Sequence, residues 1–386
     1  MTLSRRWVIK GTFGFCAVAA LPAKTLVCSP EADRIWYLGT ARASDGSFIA
    51  ALLDPHSQLI STINLPGRGH GIAIHPKRPE YVVFARRPGT FAMVLDGPRL
   101  NRIHKITSKP GRHFYGHGCF SRDGTHLFAS ENDFNRGVGV IGVYNVSDSY
   151  RRVGEFSSGG IGPHELRLMP GGEHLVVANG GIRTHPDQGR AKLNLADMRA
   201  NVCLLDVFTG TVAEKLLLDQ RYQRLSIRHV DVNSQKVVGL AMQFEGNPAA
   251  DVPLAALWRC GREIIYLKTP ASIEPTLRHY TGSIRFDQKG EFVAVTFPRG
   301  YFTGLWETAT AAFRGGFVTP DSSGISSTSE PGEFLIAGSD GRFRKIAPHQ
   351  SSSEIDLFID AQYAWDNHVS EFEEKLTADY MASDVF

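Results

Sequence analysis

A histidine-containing motif returns at a constant interval, and this interval constrains the fold more than any other feature of the chain. His70 and His117 are 47 positions apart, and so are His117 and His164. Each histidine begins a short apolar run, which is followed by a polar turn and further β-rich runs. Four short strands in a repeat of 40–50 residues are typical of a β-propeller blade. The middle of the chain therefore predicts three successive blades.

Weaker copies of the repeat extend it to seven. They begin at His229, at Ser283 and near Ile325. Residues 35–65 contain three strand-like runs that lack an inner strand, and the segment around His368 resembles the missing one. Pairing of the two chain ends would close the ring and remove its exposed sheet edges. The sequence thus predicts an all-β, seven-bladed propeller over residues 31–370 and a C-terminal tail over 371–386. The alternative, a pair of β-sandwiches, does not explain the 47-residue interval.

The N-terminus has the features of an export signal. Arg5 and Arg6 stand in the frame S-R-R-x-φ-φ-K before an apolar run of about 13 residues, the pattern that the twin-arginine (Tat) machinery reads. The run is too short to span a bilayer and ends in small residues near Ala23. We predict a signal peptide over residues 1–23, export in the folded state, and a periplasmic mature protein without a membrane span. The alternative is a chance arginine pair before a buried helix.

Composition excludes several classes of function. The formal charge is +3 with both signs interspersed, which is not the footprint of a nucleic-acid binder. No C-x-x-C-H or paired C-x-x-C motif occurs, so neither a c-type haem nor that type of zinc site is expected. The cysteines beyond the signal allow three disulfide pairings, and at least two of the four are interpreted as buried thiols: Cys28, Cys119, Cys203 and Cys260.

Histidine fills five of the seven predicted inner-strand positions, although the chain has only 14 histidines among 386 residues. Neutral imidazole is a common ligand of iron, copper and zinc, and a glutamate beside one histidine offers a carboxylate. The predicted metal ligands, for a transition metal such as iron or copper, are His70, His117, His164, Glu165, His229 and His368. The alternative is that each histidine caps its strand by bonding to the backbone of the neighbouring blade.

The predicted loops on the same face as these histidines are unusually polar. The third repeat is 65 residues long, which is 18 more than the 47-residue interval, and the excess falls in the loop that contains residues 181–192. We interpret the segment 181–194 as a lid over the channel mouth. These loops and the strand starts supply the predicted ligand-binding residues, namely Arg86, Glu131, Asp133, Arg183, His185, Lys192, Arg228 and Arg299. No nucleophile elbow, P-loop or dinucleotide-binding fingerprint appears.

Several longer motifs resemble a known family. The segments 65–71, 111–118, 162–165, 177–182, 189–194, 226–229 and 365–368 are similar to an uncharacterised family of Tat-exported bacterial propellers, WD40-like in architecture and catalogued only as a domain of unknown function. The resemblance implies a periplasmic propeller whose genes often accompany imelysin-like proteins and cytochrome-like thiol oxidoreductases, and hence iron handling. It implies no catalytic residues, and the chain after His368 departs from the family pattern.

Three hypotheses of function follow. The preferred one is a non-enzymatic periplasmic propeller that binds iron, another transition metal or a metal-bearing ligand. The second is a propeller enzyme, either a lactonase-like hydrolase or an oxidoreductase with a non-covalent cofactor. The third is a scaffold that docks an imelysin-like or cytochrome-like partner.

Overall fold

Seven antiparallel sheets of four strands each form a closed ring in the computed structural model, which describes residues 35–348, 355–360 and 362–373. The predicted signal peptide, Cys28 and most of the predicted tail lie outside these residues. Within the described segments, no helix is both long and apolar enough to cross a membrane.

The strands follow one another with short connections. In chain order they are β1 (Ile35–Ala43), β2 (Phe48–Leu53), β3 (Leu59–Leu65), β4 (Gly69–Ile74), β5 (Glu80–Ala85), β6 (Phe91–Asp96), β7 (Asn101–Thr107), β8 (Arg112–Phe120), β9 (His126–Asp133), β10 (Val138–Asn145), β11 (Arg151–Ser157), β12 (Pro163–Leu168), β13 (His174–Asn179), β14 (Asn201–Asp206), β15 (Val212–Leu217), β16 (Leu225–Val232), β17 (Val238–Phe244), β18 (Ala255–Trp258), β19 (Ile265–Leu267), β20 (Ser283–Phe286), β21 (Phe292–Phe297), β22 (Phe302–Glu307), β23 (Phe313–Val318), β24 (Ser322–Ser327), β25 (Phe334–Gly338), β26 (Arg342–Ile346), β27 (Ile355–Ile359) and β28 (Tyr363–Glu373). The described loops contain four 3-10 turns: Pro186–Gln188, Gln220–Tyr222, Glu274–Leu277 and Pro298–Gly300.

Each group of four strands is one blade, and the predicted seven-bladed fold is confirmed. Blades 1 to 6 are β4–β7, β8–β11, β12–β15, β16–β19, β20–β23 and β24–β27. Blade 7 combines β28 with β1, β2 and β3, so the C-terminal strand supplies the inner strand that residues 35–65 lack. β28 continues through Glu373, three residues into the segment predicted as a tail. The described part of that segment is therefore part of the blade.

The burial of each strand follows from its position in the blade. The second strand of blade 1, β5, is buried along its whole length, because neighbouring blades cover both of its faces. The outer strand of blade 2, β11, alternates between exposed and half-buried side chains, as expected for a strand with one solvated face. Apolar side chains fill the space between blades; for example, the rings of Phe84 and Phe114 meet with centroids 5.7 Å apart. The core is thus a set of layers around an open axis.

A β-bulge recurs in the inner strands and controls what reaches this axis. In blades 1, 2, 3, 4 and 7, the pairing register shifts at or next to the inner-strand histidine. Bulges redirect a side chain while the rest of the ladder is preserved. Blade 5 carries Ser283 at this position and pairs without a shift. Blade 6 has a register shift between Ser322 and Gly324 but no histidine there. Every inner-strand histidine therefore lies at or next to a bulge, although a bulge also occurs without one.

Candidate functional site: a histidine ring below a cationic funnel

Five imidazoles meet on the propeller axis. The ring centroids of neighbouring pairs lie between 4.6 and 5.9 Å apart, and every member is less than one-tenth exposed. The histidine ring consists of His70, His117, His164, His229 and His368. Ser283 of blade 5 contacts it from the side, with its Oγ 3.5 Å from Nδ1 of His368. The five histidines therefore form one cluster rather than five separate strand caps.

Glycines next to two of the histidines allow this close approach. Gly116 has φ +108°, and a Cβ built on it would lie 2.5 Å from Cδ2 of His70. A Cβ on Gly71 would lie 2.6 Å from Nδ1 of His117. Only glycine fits such a contact, and glycine also accepts the positive φ without strain. The Gly-His-Gly sequence of blades 1 and 2 is thus what allows His70 and His117 to pack against each other.

Four ring nitrogens of the cluster are buried without a hydrogen-bond partner among the described residues. They are Nδ1 of His70 and His164 and Nε2 of His117 and His368. Buried polar atoms almost always have a partner, and leaving one unpaired costs about 1–3 kcal/mol. Four such atoms in one cluster give the ring unused capacity to bind a metal ion or to form hydrogen bonds with a ligand.

The environment keeps these imidazoles neutral. Burial, reinforced by the neighbouring histidines, lowers the pKa of His70, His164 and His368 well below 6.5. Burial also lowers the pKa of His117, to about 3, although the nearby Glu165 opposes the shift. A neutral imidazole is the form that binds a metal ion. These four histidines are therefore in their ligating form at neutral pH.

Glu165, one of the predicted ligands, lies beside the ring and is hydrogen-bonded to one of its members. Its carboxylate accepts hydrogen bonds from Nδ1 of His229 at 3.0 Å and from the Val230 amide at 3.3 Å, and it pairs with Arg167 at 2.9 Å. Burial alone would raise the pKa of Glu165, but His117, Arg167 and His229 lower it below its ordinary value. Because the carboxylate holds Nδ1 of His229, Nε2 is the ring nitrogen of His229 that remains for another partner. The structure thus gives Glu165 the position of an orienting group.

The nitrogen positions fit a metal ion after a small adjustment. Two overlapping sets have all their ligand atoms within 4.8 Å of one another: His70, His117 and His368, and His117, His164 and His229. Metal–nitrogen bonds of about 2.0–2.1 Å allow at most about 4.2 Å between two ligands of one ion. Imidazole movements of less than about 1 Å would bring either set to coordination distance. Ligands of nitrogen alone suit iron, copper, zinc and nickel.

A cavity of about 550 Å³ opens above the ring, with His70, His164 and His229 at its floor. Its wall carries six cationic side chains, from Arg86, Arg87, Arg190, Lys192, Arg228 and Arg299. The acidic residue of the lining is Glu245. We call this cavity the funnel. Its residues come from strand starts and from loops between second and third strands, so these segments open on one face as the sequence predicts.

Five of the eight predicted ligand-binding residues line the funnel. These are Arg86, His185, Lys192, Arg228 and Arg299. Arg299 stacks over the ring of Tyr280, with its guanidinium carbon 4.0 Å from the ring centroid. The lid segment lies over the mouth and is held by Asn194, whose side chain accepts from the Arg183 amide at 2.7 Å and donates to the Gly181 carbonyl at 2.9 Å.

The other three predicted residues do not reach the funnel. Glu131 is fully buried within blade 2, where it accepts from the Tyr144 hydroxyl at 2.6 Å and pairs with Arg152 at 3.0 Å. Asp133 pairs with Arg112 at 3.3 Å. Strand β9 runs on through both acids, so they belong to the sheet rather than to a loop, and arginines of the same blade neutralise them. Arg183 lies against Gly137 of blade 2 and is exposed.

Sequence reasoning missed several funnel residues. Arg87 stands beside a predicted residue, but neighbours on an extended chain point in different directions, and only the structure shows that both arginines line the wall. Arg190 lies in the predicted lid. His279 and Tyr280 precede the inner strand of blade 5, outside any repeat position, and no sequence signal marks them.

Charges on the other side of the ring are paired. Arg285 lies 3.1 Å from Asp231 and 3.6 Å from Glu371, and Asp231 also accepts from the Phe286 amide at 2.8 Å. Arg167 connects this group to Glu165. We call these residues, Glu165, Arg167, Asp231, Arg285 and Glu371, the lower ion-pair network.

The described cysteines are free thiols. Cys203 is buried, half-buried Cys119 packs in the same apolar cluster, and Cys260 is exposed. Burial raises the pKa of Cys119 to about 12 and that of Cys203 to about 11. Both therefore behave as small apolar residues, as the sequence predicted for at least two of the four.

Comparison with known proteins places the chain in a family. The family described as "Protein of unknown function (DUF1513)" matches residues 63–372, and the chain belongs to it. No curated protein sequence matches the chain significantly. Among solved structures, the hydrazine synthase of Kuenenia stuttgartiensis is similar with a TM-score of 0.59 and 13% sequence identity, covering 80% of this chain and 94% of that chain. At this identity, the similarity shows the propeller fold alone.

Proposed function

We propose that this member of the DUF1513 family is a transition-metal-binding propeller whose histidine ring holds the ion. The observation that carries the proposal is the set of four buried imidazole nitrogens without partners. The neutral state of these four histidines and the convergence of ligand atoms within 4.8 Å in each of two sets of three histidines support it further. Iron is the metal that we favour, because of the resemblance described above, and copper is the other metal predicted.

The residues of the ring and its surroundings would have different roles in metal binding. The histidines would bind the ion, and Glu165 would orient His229 and hold a negative charge close to the ring. Burial of the ring would keep bulk water away from the far side of the ion. The bound metal would supply Lewis acidity and, for iron or copper, access to a second oxidation state. The funnel would provide the route by which an ion or its carrier reaches the ring.

We place this protein in the periplasm, delivered by the Tat machinery. The twin arginine of residues 5 and 6 is the support for this assignment, and folded export would allow the metal to be loaded before transport. Replacing both arginines by lysine (Arg5→Lys/Arg6→Lys) should retain the protein in the cytoplasm. Periplasmic accumulation of this variant at the wild-type level would remove the support for Tat export.

Metal content is the direct test of the proposed function. Protein exported through its own signal and purified without chelator should contain a transition metal in stoichiometric proportion by elemental analysis. The double variant His117→Gln/His164→Gln removes a member of both candidate ligand sets and should lose the metal. A matched control is His104→Gln, since His104 lies on the outer strand of blade 1.

Two outcomes would count against the proposal. One is wild-type protein that neither contains nor takes up iron, copper, zinc or nickel. The other is a double variant that folds, as shown by an unchanged circular dichroism spectrum, and retains the wild-type metal content. In the second case the metal would bind elsewhere.

A further inference from the structure

The cationic wall of the funnel is not balanced by the protein. Arg86, Arg87, Arg190 and Arg299 have no carboxylate partner among the described residues, whereas most other arginines near the axis have one. The single lining acid, Glu245, is shared: it pairs with Lys192 and lies 3.9 Å from Arg228. Six cations therefore face one carboxylate across a cavity of about 550 Å³.

One of these cations, Arg228, is buried without a complete set of partners. Arg228 is buried, its ion pair with Glu245 is long, and its Nε has no hydrogen-bond partner. Removing a charge from water is costly unless the charge is paired and hydrogen-bonded. The bulge of blade 4 nevertheless inserts this residue into the inner strand beside His229, which places the guanidinium at the funnel rather than in solvent.

The cations also lie close enough to repel one another. Burial lowers the pKa of Arg86 and Arg87 from the ordinary arginine value, and the charges of neighbouring arginines lower it further, Arg68 for Arg86 and Arg228 and Arg190 for Arg87. A bound anion would relieve both the repulsion and the loss of hydration. Planar guanidinium groups match carboxylate and phosphate oxygens in pairs.

We infer that the funnel binds a small oxyanion carrying two or more carboxylate or phosphate groups, and that the arginine wall holds it above the histidine ring. The size of the cavity is that of small-molecule sites and exceeds what a single inorganic anion fills. This inference goes beyond the metal site, since the wall and the ring are made of different residues. An anion in this place would lie directly over the floor formed by His70, His164 and His229, and would offer oxygen atoms to an ion bound there.

The inference is tested by titration calorimetry on the full chain after chelator treatment, at low ionic strength and pH 7. Citrate represents the polycarboxylates, pyrophosphate represents the phosphates, and acetate serves as the singly charged control. We expect one molecule of citrate or pyrophosphate per chain and much weaker binding of acetate. Preference for citrate or for pyrophosphate distinguishes the two chemical sources. Failure of both anions to bind overturns the inference.

Arginine variants locate the binding. Arg299→Gln changes an exposed residue of the wall and should fold normally; Arg87→Gln changes a half-buried one. Each should weaken the binding of the preferred anion by about tenfold or more, the loss expected for a hydrogen bond to a charged group. Arg102→Gln, on the exposed outer strand of blade 1, is the matched control and should bind as the wild type does. Equal affinity in Arg299→Gln and Arg102→Gln overturns the inference.

The ring variant separates this inference from the proposed function. His117→Gln/His164→Gln should bind no metal but still bind the anion, because the arginine wall is unchanged. If the wild type binds a metal but no anion, the anion-binding inference is contradicted and the proposed metal-binding function is not. Anion binding by a wild-type protein that takes up no metal contradicts the proposed function alone.

Discussion

The two sides of the histidine ring contain the same kinds of side chain but arrange their charges in opposite ways. Below the ring, Arg285 has Asp231 and Glu371 as partners, and Arg167 has Glu165. Above it, the arginines of the funnel outnumber their one acid. A paired buried charge stabilises or fixes a fold, whereas an unpaired one is retained at a cost and calls for a ligand. The comparison shows that the lower network satisfies its own charges, whereas the funnel leaves cationic side chains available to a ligand, as both proposals require.

Acidification should affect the ring before the lower network, and this is the largest effect that we expect. His70, His117, His164 and His368 have lowered pKa values, so below pH 6.5 the unfolded chain takes up protons that these four histidines do not take up in the native state. Each histidine then reduces the free energy of unfolding by up to about 1.4 kcal/mol per pH unit. Above pH 6.5 neither state is protonated and the contribution vanishes.

The lower carboxylates respond in a different pH range. Although burial alone would raise it, the pKa of Glu371 is lowered mainly by Arg285, so its stabilisation is complete above pH 4.5 and is lost only below that value. Urea unfolding of metal-free protein between pH 7.5 and 4.5 measures the difference. The slope between pH 6.5 and 5 should decrease in His70→Gln; an unchanged slope would contradict the assignment of neutral histidines.

Removing one arginine from each side sharpens the comparison. Arg285→Met leaves Asp231 and Glu371 without their buried partner and should reduce the free energy of unfolding by about 3–5 kcal/mol. Arg299→Met removes a funnel arginine that has no carboxylate partner and should change it by less than about 0.5 kcal/mol. Urea unfolding at pH 7 in anion-free buffer provides both values. Equal destabilisation by the two changes would contradict the distinction between paired charges below the ring and unpaired charges above it.

Glu165 connects the two sides, and its loss should weaken the site more than the fold. Glu165→Gln keeps the shape of the side chain but no longer provides a carboxylate for Nδ1 of His229. Outer-shell partners of this kind are worth about 10–100-fold in metal affinity. Competition with a chromogenic chelator measures the affinity. The proposed orienting role would be refuted by an affinity equal to that of the wild type.

Crowding within the ring is tested by replacing a glycine that contacts it. Gly116→Ala should reduce the free energy of unfolding by about 1–3 kcal/mol, because a positive φ disfavours alanine and because the added methyl group meets His70. Gly171→Ala is the control, since Gly171 has φ +109° and nothing within 4 Å of its Cβ position. The excess cost of Gly116→Ala over Gly171→Ala measures contact with the ring. Equal costs would mean that His70 moves freely.

The constant interval between His70, His117 and His164 was sufficient to predict the blades, because a propeller repeats one local structure at one spacing. It also predicted the histidine ring, since equivalent positions on inner strands face the same axis. The role of Glu165 was not predictable in this way. Its partner Arg167 lies two residues further along the same strand, but its partner His229 belongs to the next blade. That contact depends on how blades 3 and 4 pack, which no local pattern encodes.

The positions of charged side chains were harder to predict from the sequence than the strands were. Glu131 and Asp133 follow an apolar run, as a loop residue would, but β9 continues through them and Arg112 and Arg152 neutralise them. Tyr280 lies outside the repeat and joins the funnel through an isolated β-bridge to Gln243. Ion pairs between side chains that are distant in sequence determine which charged groups remain unpaired. A local sequence pattern does not predict these pairs.

Anomalous diffraction at the absorption edge of the bound metal tests the central claim most directly. In crystals of natively exported protein, the account predicts a single peak on the propeller axis, about 2.0–2.2 Å from a ring nitrogen of at least two of His70, His117, His164, His229 and His368. A peak among other residues, or no peak in crystals supplied with iron, copper, zinc or nickel, would contradict it.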